Sequence, residues 1–122
     1  MKIRGIADIK IAMDQIIDTG DNWHRESIPG PNAAVVRDSC RVFEQLWDDA
    51  HVLPQRIVQT IEEGIYAEFK TDDRMDLILE LYNEGTGVVF LLEHGKTIEC
   101  IDISNIDRVN TVCHAIQRIL KQ

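Results

Sequence analysis

A chain of 122 residues, 44% hydrophobic and 28% charged, is long enough to bury one core of its own and too apolar to stay disordered. Its formal charge of −8 sets its surface against nucleic acid and anionic membranes as direct partners. No apolar run approaches the ~20 residues of a membrane span, so the expected compartment is the cytoplasm.

The first element predicted is an amphipathic helix from Ile3 to about Asp18. Ile6, Ile9, Met13, Ile16 and Ile17 recur at spacings of three and four, while Asp8, Lys10, Asp14 and Asp18 fall elsewhere on the wheel. Thr19-Gly20-Asp21 is read as its end, because glycine takes the left-handed C-terminal conformation cheaply. Asn22 to Asn32, with Pro29-Gly30-Pro31 inside it, then reads as the one long irregular loop. Asn32 has the side chain to cap a second helix through about Asp49, with Val36, Cys40, Phe43, Leu46 and Trp47 on its buried side.

Beyond Pro54 the period drops from 3.6 to 2. Five short strands follow, at 56–61, 65–70, 75–82, 88–93 and 97–103, and the simplest arrangement for them is an antiparallel meander. Glu62-Glu63-Gly64 joins the first two, its glycine free to take positive φ; Asn83 to Gly87 and His94-Gly95-Lys96 make the later turns. In the third strand Met75, Leu77, Leu79 and Leu81 alternate with Asp76, Ile78, Glu80 and Tyr82. A slip of one residue would bury Asp76 and Glu80, which fixes its core face. Ser104-Asn105-Ile106-Asp107 opens a last amphipathic helix carrying Ile106, Val109, Val112, Cys113, Ile116, Ile119 and Leu120. The expected fold is a single α+β domain over residues 1–122: a five-stranded antiparallel meander sheet with two N-terminal helices and one C-terminal helix packed on one face.

Two stretches carry a resemblance. Asn22-Trp23-His24-Arg25-Glu26-Ser27-Ile28-Pro29-Gly30-Pro31, and then Leu53-Pro54 through Thr60, Gly64, Glu68 and Phe69, resemble a family of small uncharacterised bacterial proteins. That family has an N-W-x-G-like, proline-rich loop followed by a strand hairpin with a glycine and an acidic-aromatic pair. The likeness covers roughly residues 20–93. His24-Arg25 stands here for its Asp-Gly, Glu63-Gly64 for its Gly-Gly and Phe69 for its Trp. It implies the architecture and a bacterial or phage origin, and no activity.

The chemistry-bearing residues are sparse. Trp23, His24, Arg25 and Glu26 put an aromatic, an imidazole, a guanidinium and a carboxylate within four residues, which could form a loop site; the plainer reading has Trp23 pinning the loop to the core. His24, His51, His94 and His114 lack metal-ligand spacing, and Cys113 and His114 diverge by about 100° on a helix, so neither metal nor cofactor is expected. Cys40, Cys100 and Cys113, an odd number without CxxC spacing, read as reduced and mostly buried thiols. No serine lies in a nucleophile elbow, and Gly85-Thr86-Gly87 lacks the lysine and helix of a phosphate loop, so no enzyme is expected.

The acidity is what remains. Residues 60–102 hold eleven acidic residues against three basic ones, which places the whole net charge on the predicted sheet. With one side of that sheet under helices, the expected interaction surface is the other, through Tyr66, Glu68, Asp76, Ile78, Glu80, Tyr82, Val89 and Leu91. The function expected is a non-enzymatic protein-binding module for a basic protein, of antitoxin, immunity or inhibitor type. The alternatives are a homodimer built on Ile78, Val89 and Leu91, or a small-ligand protein using the Trp23 loop.

Overall fold

The computed structural model describes residues 2–25, 30–60, 64–70, 75–105 and 109–120, with side chains described at all of these except 17–25. Helix α1 runs Ile6–Arg25, and its first turn is fastened by the Asp8 carboxylate, which accepts from the Arg4 amide at 2.8 Å. Ile9, Ala12, Met13 and Ile16 are its buried stripe, joined by Ile3 just before the helix. Ile6, expected on that stripe, is instead exposed in the first turn of the helix.

The expected stop at Gly20 is not observed. The helix continues through Thr19-Gly20-Asp21 and takes in Trp23, His24 and Arg25, so these three belong to a helix and not to a loop. One glycine in a helix interior costs only about 1 kcal/mol, and no proline interrupts the chain before Pro29. Glu26 and the rest of the expected loop up to Pro29 lie outside the described residues, as does the side chain of Ile17.

Helix α2, Ala33–Ala50, begins as expected at Asn32, whose side chain accepts from the Val35 amide at 2.8 Å. It ends at His51 in the left-handed region (φ 53°), where the ring stacks on Trp47 with centroids 4.9 Å apart. The buried arc is Val35, Asp38, Ser39, Val42, Phe43 and Leu46. Val36, Cys40 and Trp47 are only half-buried, so the arc is turned by about one residue from the expected stripe. The reason is that α2 lies between α1 and the C-terminal helix as well as over the sheet, and three neighbours bury a wider arc than one. Asp38 enters it with the Arg37 guanidinium 3.2 Å from its carboxylate, reaching out to solvent.

The sheet has the order β1-β2-β3-β4-β5 and is antiparallel throughout, the expected meander: β1 Arg56–Thr60, β2 Gly64–Lys70, β3 Met75–Tyr82, β4 Gly87–Glu93 and β5 Lys96–Ile103. Its turns follow from backbone freedom. His94 (φ 49°) and Gly95 (φ 80°) form the two-residue loop between Glu93 and Lys96, both with the positive φ that a hairpin matched to strand twist requires. Gly64 has a different role from the one expected. It is not in the left-handed region; a Cβ there would run into the Leu81 carbonyl oxygen and stand 2.9 Å from Tyr82 Cα, so glycine permits the close approach of β2 to β3.

All three helices cover one face of this sheet. Ile65, Ala67, Phe69, Leu77, Leu79, Leu81, Val89 and Leu91 point into the layer between, where Phe43 of α2 meets Phe69 at 6.5 Å between ring centroids. Helix α3, Val109–Leu120, adds Val112, Cys113, Ile116 and Ile119, and its Cys113 thiol donates to the Val42 carbonyl. Asn83, in the β3–β4 turn, clasps the start of α2. Its Oδ1 accepts from the Asn32 amide at 2.8 Å, its Nδ2 donates to the Gly30 carbonyl at 2.9 Å, and its own carbonyl accepts from Asn32 Nδ2 at 3.0 Å. The fold thus has the expected α+β layout of two helices, five strands and a helix. Among the described residues, no helix is long and apolar enough to cross a membrane.

Candidate functional site

Antiparallel partners share a face of the sheet, so the register lays out the side of the sheet away from the helices as a grid. One row runs across all five strands as Val58, Tyr66, Glu80, Val88, Asp102; the next as Arg56, Glu68, Ile78, Phe90, Cys100. A third holds Lys70, Asp76, Leu92 and Thr97, past a bulge that falls between Leu91 and Leu92. The middle of this face is apolar, with Ile78 and Phe90 half-buried side by side, Leu92 beyond them on one hand along β4 and Val88, only 6% exposed, on the other. Carboxylates and cations surround it. It has the anatomy of an interaction patch: an apolar centre inside a charged rim.

Of the expected contact residues, Tyr66, Glu68, Asp76, Ile78, Glu80 and Tyr82 all lie on this open face, half-buried. Val89 and Leu91 do not. They are 0% and 1% exposed, in the core opposite Leu79 and Leu77. Strand β4, Gly-Val-Val-Phe-Leu-Leu-Glu, is apolar on both sides and shows no alternation to read. The residues missed in its place are Val88, Phe90 and Leu92, with Asp102 opposite Val88 on β5; Val58, also missed, lies on the same face at the β1 edge. The signal was in the turn: pairing Leu81 with Gly87 joins odd-numbered to odd-numbered residues, so the leucines of β3 must face Val89 and Leu91.

The charges on the face are unevenly matched. Arg56 stands 3.6 Å from Glu68, and Lys70 3.8 Å from Asp76. Glu80 accepts the Tyr82 hydroxyl at 2.7 Å, which fixes the Tyr82 ring. Neither Glu80 nor Asp102 has a cation opposite it in the register, so the β1–β2 side is compensated and the β3–β5 side is negative. The Tyr66 hydroxyl is pushed above its ordinary value of 10.0, first by burial and then by the Glu68 carboxylate it bonds to, with Glu80 adding and Arg56 opposing. It therefore stays protonated and a donor across neutral pH.

Cys100 is exposed on this face and Cys40 is half-buried; of the three thiols only Cys113 is buried. Among the described residues, no three His, Cys, Asp or Glu side chains group as metal ligands would. Open grooves also lie away from the sheet face among the described residues. One of about 690 Å³ lies between α2 and α3, lined by Glu44, Asp48 and Asn110; another, of about 630 Å³, lies at the β1 edge beside Lys2 and Arg56.

No family model matches this chain, and neither a curated protein nor a solved structure does. The functional reading therefore rests on the face itself.

Proposed function

We propose that this chain is a non-enzymatic binding protein that holds a basic protein partner on its open sheet face, in the manner of an antitoxin, immunity protein or inhibitor. The observation that carries the reading is the patch centred on Ile78 and Phe90, uncovered by any helix among the described residues and edged by Glu80 and Asp102 without cations opposite them. The apolar centre supplies buried area. The unmatched carboxylates supply charge complementarity, which speeds association and selects sign more than it adds affinity.

The test is binding of the tagged protein to partners from its native host at low and high salt, repeated with Phe90→Glu and with Glu80→Lys/Asp102→Lys. A basic protein released as salt screens charges beyond ~8 Å, and lost in both variants, is the expected result. A partner retained equally by all three proteins removes this face from consideration.

A second reading is favoured by the apolar surface itself, where Ile78, Phe90 and Leu92 are only half-buried. Two copies meeting through Ile78, Phe90 and Leu92 would hide it. Charge weighs against this: each copy brings Glu68, Asp76, Glu80 and Asp102 against Arg56 and Lys70, so two such faces repel. Sedimentation equilibrium separates the readings, because a dimer abolished by Phe90→Glu belongs to self-association. The alternative of a small-ligand site at Trp23, His24, Arg25 and Glu26 would have to be built on the end of a helix that runs through Arg25.

A further inference from the structure

Resting on that reading, the open face contains a feature that narrows the partner's chemistry. Where β3, β4 and β5 meet, a shallow depression of about 610 Å³ is lined by Tyr82, Val88, Phe90, Asp102 and Ser104. Its walls are apolar: the Tyr82 ring, held by the hydroxyl bond to Glu80, the Phe90 ring and Val88. At its rim stands Asp102, an exposed carboxylate with no ion pair or hydrogen bond among the described residues, facing Val88 across the β4–β5 pairing. Apolar walls with one unpaired carboxylate at the mouth suit a side chain whose stem is hydrocarbon and whose head is a cation. Two aromatic residues lining the same depression as that carboxylate suit a flat cation better than a round one, since a guanidinium stacks on a ring while keeping its in-plane donors for the carboxylate.

We infer that this depression is the socket for an arginine side chain of the partner, with Phe90 and Tyr82 flanking the guanidinium and Asp102 accepting its hydrogen bonds. The ion pair is made at the edge of the apolar patch, where the partner excludes water from it. The socket gives the basic partner a single anchoring residue and accounts for an unpaired carboxylate on β5.

The probes are N-acetyl-arginine amide and its uncharged isostere N-acetyl-citrulline amide, titrated into the isotopically labelled protein while amide resonances are followed by NMR. The arginine probe is expected to move Val88, Phe90, Cys100 and Asp102 saturably, at concentrations at least about threefold below those the citrulline probe needs. Asp102→Asn, isosteric and on a solvent-exposed edge strand, should erase that preference and leave the thermal melt in place. Equal response to the two probes, no response to either, or a preference that survives in Asp102→Asn overturns the socket. Failure of the socket is distinct from failure of the face. If Asp102→Asn keeps the natural partner while Phe90→Glu loses it, the socket is wrong and the face stands; if Phe90→Glu also keeps it, the face reading falls.

Discussion

Leu91 and Phe90 are chain neighbours on opposite sides of β4, and truncating each to alanine tests the register on which the binding face depends. Leu91 is 1% exposed, beneath the helices and opposite Leu77. Leu91→Ala removes three buried carbons, worth about 2.4 kcal/mol at ~0.8 kcal/mol each, and leaves a cavity that packed helices cannot fully close, for a loss of about 3 kcal/mol. Phe90→Ala removes twice as many carbons but from a half-buried side chain on the open face, where no cavity forms. Its loss is that of cross-strand contact with Ile78 and Cys100, about 1 kcal/mol. In a chain of this length 3 kcal/mol lowers the melting temperature by about 12 °C, and 1 kcal/mol by about 4 °C. Urea unfolding followed by circular dichroism measures both variants directly. If the larger truncation proves as costly as the smaller one or costlier, Phe90 is the core residue, β4 is out of register by one, and the proposed face does not exist.

Four further outcomes follow from the packing. The Cys113 thiol is pushed from 9.0 up to about 12, by burial first and by Asp49 second. A raised folded-state value stabilises fully below pH 9 and is lost as pH rises towards 12, so the wild type should lose about 1 kcal/mol more than Cys113→Ala between pH 8 and 10, measured by urea titration at each pH. An equal loss in both refutes the buried thiol. In the native protein Cys100 should react with a thiol reagent well before Cys113, a difference that mass spectrometry of the labelled peptides reads. Gly64→Ala, with no room for a methyl group against the Leu81 carbonyl, should cost about 2 kcal/mol in the same unfolding assay, whereas a turn glycine without contacts would cost less. Asn83→Ala and Asn32→Ala should each cost about 1–2 kcal/mol and be non-additive in a double-mutant cycle, since they share the clasp between the β3–β4 turn and α2.

Some of this could be read without coordinates because local chemistry is decisive at those places. Asn32 has the side chain a helix start needs, His94-Gly95 the backbone freedom of a two-residue hairpin, and Met75 to Tyr82 an alternation in which only one register keeps Asp76 and Glu80 out of the core. The meander, the layering of helices on one face and six of the open-face residues follow from those three kinds of signal.

Elsewhere local chemistry was silent or outweighed. Gly20 reads as a stop, yet one glycine costs a helix less than continuing it gains, and Trp23 moved from loop to helix. The arc of α2 was set by neighbours on both sides, which brought Asp38 and Ser39 inward and left Val36 and Trp47 half-exposed. Strand β4 is apolar at every position that matters, so its composition cannot say which side is buried. Only its hydrogen-bonded pairing with β3 sends Val89 and Leu91 into the core and Phe90 and Leu92 to the open face. Sequence alone determined where the strands lie, because alternation and turn residues act within a few positions of themselves. Tertiary pairing decided which residues face a partner, because a strand apolar on both sides takes its orientation from the strand beside it.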